Sequence, residues 1–207
     1  MSDFSSAINL IRKYEGFNEK AYADQVTGAE PYTIGFGTQF YPDGSPVKQG
    51  QLCSQEKALE YLFHEVTIID TQLSKLNLGL DNYMRQALIS FIHSVGWDSF
   101  LYSSIIDAIE QESFWAVTDE IGRWIFDAEY HAIGNLLDRR REEIALFLEG
   151  IANPPYGSTT ILLNAFHDYV ATDHQRNAIL ALENSINPYV LAKFANQFSG
   201  EKKSWAK

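Results

Sequence analysis

The sequence predicts an α+β chain: a small β-hairpin lobe and a larger helical lobe joined by a long helix, with a helical C-terminal extension. Three observations carry this expectation. Apolar residues recur at helical spacing in a segment before Gly16 and in several segments between residues 55 and 148. Between Glu19 and about Gln51 the texture changes, with Gly28, Gly35, Gly37, Gly44, Gly50, Pro31 and Pro46 breaking short strand-like runs. Asn153-Pro-Pro-Tyr-Gly157 then divides the 207 residues into a unit of 1–150 and an extension of 151–207.

Taken in order, the first helix is expected from Ser5 to Tyr14. Ile8 and Ile11, with Leu10 or Tyr14, form its apolar face, Ser5 or Ser6 is its N-cap and Gly16 its stop. Tyr32–Gly37 reads as a strand entering a hairpin region, and Tyr41-Pro-Asp-Gly44 is a turn with Pro at its second position. Ser54 caps a long helix over 55–76, in which Leu59, Leu62 or Phe63, Val66, Ile69, Leu73 and Leu76 share a face. Four further helices are expected: Asn82–Val95 ended by Gly96, Phe100–Gln111, Phe114–Phe126, and Leu136–Leu148 ended by Gly150. Three shorter ones follow at Thr159–Val170, His174–Ser185 and Pro188–Phe198, with Pro188 suited to a first turn.

Charge and composition exclude several function classes. The net charge is −11, and it is uneven: residues 1–150 carry 11 Lys and Arg against 23 Asp and Glu, whereas 151–207 carry 5 against 4. Nucleic-acid domains present a basic face, so no nucleic-acid partner is expected. No apolar run approaches the 18 or more residues of a membrane span, and the N-terminus has no basic, apolar and small-residue order of a signal peptide. A protein made in the cytoplasm without a signal is the expectation. Cys53 is the single cysteine, so no internal disulfide forms and the thiol reads as a small packed side chain. The five histidines show no metal-ligand spacing, and Gly35-Phe-Gly37 does not open a helix as a phosphate loop would; neither metal nor cofactor is expected.

The chemistry suggested by the residues is carboxylate chemistry. Cleaving a glycosidic bond requires an acid that protonates the leaving oxygen and a carboxylate that activates water or attacks carbon. Glu15, at the end of an apolar helix, is placed for the partial desolvation that keeps a proton on an acid. Asp24 lies in a polar segment where a carboxylate stays ionised, and the Thr33 hydroxyl could place a water beside it. Gly35 and Gly37, lacking side chains, would let a polymer approach the backbone. From spacing alone, Glu15 as a capping or salt-bridging residue and Asp24 as the start of a turn is the other reading.

Glu15, eight residues, Asp24 and then Thr33-Ile-Gly-Phe-Gly37 resemble the active-site segment of the phage-type lysozymes, a family of T4-lysozyme-like endolysins. Arg85-Gln-Ala-Leu-Ile-Ser-Phe-Ile-His-Ser-Val-Gly96 is similar to that family's helix beneath the cleft. Phe100–Ile106, Arg123-Trp124 and Leu136-Leu-Asp-Arg-Arg-Arg-Glu142 resemble its closing helices, so the resemblance covers about residues 4–149. It implies a lysozyme-like fold and a muramidase cleaving the β-1,4 bond between N-acetylmuramic acid and N-acetylglucosamine in bacterial peptidoglycan. By position, Glu15 is then the general acid, Asp24 the carboxylate that handles water or charge, and Thr33 the third member. The chain departs from the pattern in three places. Eight residues separate Asp24 from Thr33 where the family commonly has five, the surplus lying in Val26–Pro31, and Thr27 is the other candidate for the third position. Thr38 stands where the family often has His, and His93 where many relatives have Asn.

Other residues have competing readings. One of Arg139, Arg140 and Arg141 could pair with Glu15 across the cleft, or all three could form a solvated face paired with Asp138, Glu142 and Glu143. Trp97, Trp115 and Trp124 could stack on sugars or pack in the core. Two alternative functions stand beside the muramidase: a glycosidase acting on chitin-type chains, and a catalytically impaired wall-binding or structural component. The apolar content of 151–207, including Leu162, Phe166, Leu180 and Leu191, predicts packed helices that bind wall, contact a delivery apparatus or buttress the catalytic unit of a monomer.

Overall fold

A computed structural model of the chain describes residues 3–23, 28–125 and 134–152. The element order is α1 (Ser5–Glu15), β1 (Asn18–Ala23), β2 (Tyr32–Gly35), α2 (Gln55–Lys75), α3 (Asn82–Val95), α4 (Trp97–Tyr102), α5 (Ile105–Glu110), α6 (Phe114–Arg123) and α7 (Gly134–Ala152). The architecture is α+β, with a small two-stranded sheet and a helical lobe. The three helices expected between 159 and 198 lie outside the described residues.

α3 is the axis of the helical lobe. Met84 and every residue from Gln86 to Ile92 are buried, so this helix is enclosed on all sides, by α7, α1 and α2. Its buried polar residues have assigned partners. Gln86 Oε1 accepts from the backbone N–H groups of Ser6 (2.8 Å) and Ala7 (3.2 Å). This corrects the expected N-cap of α1: neither Ser5 nor Ser6 caps it. Asp3 accepts from Ser5 N and the distant Gln86 satisfies the next two donors, leaving Phe4 at the cap position free to bury its ring.

α2 begins where Ser54 accepts from Lys57 N, and its stripe Leu62, Val66, Ile69 and Leu73 is buried as the spacing predicts. Phe63 instead remains half exposed and meets Phe4 edge-on. In the β lobe, β1 and β2 run antiparallel with Tyr22 opposite Thr33 and an irregularity between Asn18 and Tyr22. Ile34 and Thr38 then exchange both backbone hydrogen bonds, closing Gly35-Phe-Gly37 into a tight loop. The Tyr41–Gly44 turn closes with Gly44 N donating to Tyr41 O at 2.8 Å.

Three expectations change in the helical lobe. The single helix expected over Phe100–Gln111 is two, α4 and α5. Ser103 Oγ donates to Phe100 O and accepts from Ile105 N, so a serine side chain takes the place of helical hydrogen bonds at the break. α6 ends at Arg123 rather than continuing to 126. Gly150 does not stop α7, which runs on to Ala152. Its missing side chain serves packing instead: a Cβ there would lie 2.6 Å from Met84 Cγ and 2.8 Å from the Asp81 oxygen at the start of α3. Cys53 is a buried free thiol, and burial pushes its pKa up.

Candidate active site

Glu15 is the last residue of α1. Gly16 follows at φ 69°, a left-handed conformation that glycine adopts without strain, and turns the chain toward β1. The Glu15 side chain is about a quarter exposed and reaches α7, where Arg139 Nη1 donates to its Oε1 at 2.7 Å. Of the three consecutive arginines, Arg139 is thus the one that meets Glu15. It also donates through Nε to Glu143 Oε1 (3.0 Å) and through Nη2 to Ser90 O (3.0 Å). Glu143 is fully buried and accepts further from Ser90 Oγ and Arg140. Arg140, also buried, donates to Trp124 O and Ser94 Oγ and lies over the Phe91 ring. Only Arg141 behaves as a solvated face residue, paired with Asp138. Helical spacing explains the division, because consecutive residues point about a quarter-turn apart.

Three groups join Glu15 from other elements. His93, on α3 and 7% exposed, lies between two carboxylates: its Nε2 is 3.0 Å from Glu65 Oε2 on α2, and its Nδ1 is 3.7 Å from Glu15 Oε1. Gly37, at φ 102°, sits against both; a Cβ there would lie 3.2 Å from His93 Cε1 and 3.5 Å from Glu15 Oε2. Gly35 does not serve this approach, since its α face is occupied by Ala58 and Cys53. Thr33 is buried in β2, directly opposite Tyr22 of β1. Burial and the charge of Glu15 raise the Tyr22 phenol above its ordinary pKa, which places it within the electrostatic reach of Glu15. Asp24 and Thr27 lie outside the described residues.

The electrostatics depart from the sequence expectation for Glu15. Burial pushes its carboxyl up, as expected, but the charge of His93 at 3.7 Å and the hydrogen bond and charge of Arg139 outweigh burial and hold the pKa at about 2. Burial pushes His93 down, and Glu15 and Glu65 on either side outweigh it, so the imidazole sits above its ordinary value. Desolvation was legible in the sequence; the cations that reverse its effect come from helices 78 and 124 residues away along the chain. His93 carried one signal: with Ser90 and Ser94 it is polar in the otherwise apolar stretch Ala87–Val95, and buried polar groups need partners.

Beside Gly37 and His93 opens a cavity of about 630 Å³ between the 37–44 loop, α2 and the C-terminal end of α3. Tyr41, Phe40 and Trp97 line it together with His64 and Glu65. Trp97 is therefore at the cleft, whereas Trp115 is buried and Trp124 packs edge-on against Phe91. Among the described residues, no three His, Cys, Asp or Glu side chains are grouped to hold a metal ion, and no helix is long and apolar enough to cross a membrane.

The sequence matches the Phage lysozyme family over residues 12–143. An endolysin of Bacillus phage B103 is 30% identical over 151 residues, 72% of this chain and 55% of that protein. An endolysin of Salmonella phage P22 is 31% identical over 145 residues, 70% of this chain and 96% of its own length. The chain thus spans about half the length of the Bacillus phage relative and nearly all of the P22 one. A crystal structure of a P22 lysozyme point mutant superposes with a TM-score of 0.60 at 30% identity, covering 72% of this chain and 99% of that one. The matched span contains the α1 carboxylate, the glycine loop, the enclosed α3 and the arginines of α7 in one order, and the chain belongs to the phage lysozyme family.

Proposed function

We propose that the chain is a peptidoglycan hydrolase, a muramidase that cleaves the β-1,4 bond between N-acetylmuramic acid and N-acetylglucosamine. Glu15 donates the proton to the leaving oxygen, Asp24 handles the attacking water or the developing positive charge, and Thr33 assists Asp24. The observation that carries this reading is the placement of Glu15. It is anchored through Oε1 by Arg139, while Oε2 lies beside Gly37, and Gly37 and His93 line an aromatic-walled cleft. Family membership and the endolysin relatives support the substrate class.

In this mechanism the buried Arg139–Glu143–Arg140 network fixes the Glu15 carboxyl. A proton on Oε2 transfers to the glycosidic oxygen as the bond to the anomeric carbon breaks. Water adds its hydroxyl to that carbon and gives its proton to Asp24 in a direct displacement, or to the Glu15 carboxylate where Asp24 has first formed a covalent intermediate. The cell wall is the site of action, reached after release or delivery, and residues 151–207 are the part that contacts a delivery apparatus or wall. Glu15→Gln is expected to abolish release of reducing ends from purified sacculi, and full activity in that variant would end the assignment.

One observation favours a second reading, a wall-binding component with impaired chemistry: a Glu15 held at about 2 is ionised at neutral pH. Binding to sacculi with no release of reducing ends by the parent protein would support it. Parallel digestion of sacculi and chitin oligomers separates the muramidase from a chitin-type glycosidase.

A further inference from the structure

We propose that Glu65, His93 and Glu15 form a proton-sharing chain in which the proton needed by the general acid is stored on His93. This inference rests on the reading of Glu15 as the acid. It resolves the conflict between a carboxyl built to be ionised and a reaction that needs it protonated.

The geometry is directional. Glu65 Oε2 accepts from His93 Nε2 at 3.0 Å, which fixes the ring and places Nδ1 toward Glu15 Oε1 at 3.7 Å. Nδ1 is buried and, among the described residues, has no hydrogen-bond partner. The chain is therefore one short movement from closing, at the oxygen opposite the one that faces Gly37. Charge balance points the same way. The groups facing His93, directly or through Glu15, are Glu15 from α1, Glu65 and the neighbouring His64 from α2, and Arg139, Glu143 and Arg140 from α7. Three carboxylates and two guanidiniums sum to −1, and a proton on His93 brings this largely buried cluster to zero. An uncompensated charge in such surroundings is costly, so the proton is retained by the cluster as a whole.

The transfer balances. The imidazolium gives its Nδ1 proton to Oε1 of the Glu15 carboxylate, yielding neutral imidazole and a carboxylic acid, and a half-turn of the carboxyl about Cγ–Cδ then presents the protonated oxygen on the Gly37 side while the other oxygen takes up the Arg139 donor. Glu15 passes a proton to the leaving oxygen and returns to carboxylate, and His93, which borders the open cleft, takes a proton from water. The proton collected by Asp24 returns to solvent, so hydrolysis consumes one water and no net proton. Two coupled groups titrate as a pair, so the alkaline limb of activity belongs to the pair and not to Glu15 alone. His93 is in this scheme a positioning and proton-holding residue; it does not touch substrate.

The test is the pH dependence of reducing-end release from purified sacculi by the full chain. His93→Gln should move the alkaline limb toward acid by about one pH unit or more, and Glu65→Gln by less in the same direction. His93→Gln stands in a crowded interior, so Glu65→Gln, on the cleft wall, serves if that variant does not fold. A measurement independent of activity follows the His93 imidazole by NMR titration: its pKa should fall in Glu15→Gln relative to the parent. Parental alkaline limbs in the folded variants, or an unchanged His93 titration in Glu15→Gln, would overturn the proposal while leaving Glu15 as the acid. Activity in Glu15→Gln would instead remove the reading on which it rests.

Discussion

The surroundings of Glu15 make stability depend on pH in a window that follows from its two pKa values. The carboxyl titrates at 4.5 when free of the fold and at about 2 within it. The difference of 2.5 units corresponds to about 3 kcal/mol of stabilisation when the group is fully ionised in both states. The folded value is depressed, so this stability is present above the unfolded pKa and is lost as pH falls through the folded one. At about pH 6 nearly all of it is present, and at about pH 3 a little over 1 kcal/mol remains. His93 has a raised pKa, so its contribution is complete below its unfolded value of 6.5 and is lost only at higher pH, outside this range. Glu15→Gln removes the titration and keeps the side-chain shape. Urea unfolding of both proteins at fixed ionic strength should show the parent more stable at about pH 6, with the gap narrowing by about 2 kcal/mol at about pH 3. Carboxylates elsewhere titrate in both proteins and cancel in the difference. A gap that stays constant within about 0.5 kcal/mol would refute the claim that His93 and Arg139 hold Glu15 ionised.

Other substitutions test the frame around it. Glu143→Gln leaves Arg139 and Arg140 buried with one carboxylate fewer, and denaturant unfolding should show a loss of about 3 kcal/mol or more, with reduced sacculus hydrolysis because Arg139 no longer fixes Glu15. Gly150→Ala gains about 1 kcal/mol of helix propensity but drives a Cβ to 2.8 Å from the Asp81 cap and 3.0 Å from Met84 N, so thermal unfolding should show a net destabilisation. Ser54→Ala removes the side-chain acceptor for Lys57 N at the start of α2, and chemical denaturation should show a loss of about 1 kcal/mol.

What could be read beforehand follows the range of the forces involved. α2 and α3 were legible because Ser54 and Gly96 mark ends by local backbone chemistry, and the Tyr41–Gly44 turn for the same reason. Glu15 was legible as a site candidate, and the arginine run as its possible partner, but choosing Arg139 requires the rotation of α7 against α1. The start of α1 was misread because its cap comes from Gln86, far along the chain. Gly150 was misread because a glycine signals a helix end or a close approach, and only tertiary structure distinguishes them. The break at Ser103-Ser104 had a local signal, a serine pair able to bond its own backbone, set against an apolar period that ran through it.

The two oxygens of Glu15 show how these pieces become a site. Oε1 faces the cations, with Arg139 at 2.7 Å and His93 beyond it, whereas Oε2 faces Gly37. An acid whose oxygens were both tied to cations would have no lone pair free to carry a transferable proton toward a substrate, and one with neither tied would not be oriented. The division depends on the loop closed by Ile34 and Thr38, which brings position 37 over the carboxylate at a φ of 102°. A side chain there would be strained by that backbone and would sit between Oε2 and the cleft. The same glycine thus allows the β lobe to reach the end of α1 and leaves the Oε2 edge of Glu15 uncovered. In the proposed mechanism, the close approach of the lobe and access to the acid therefore meet at one residue without a side chain.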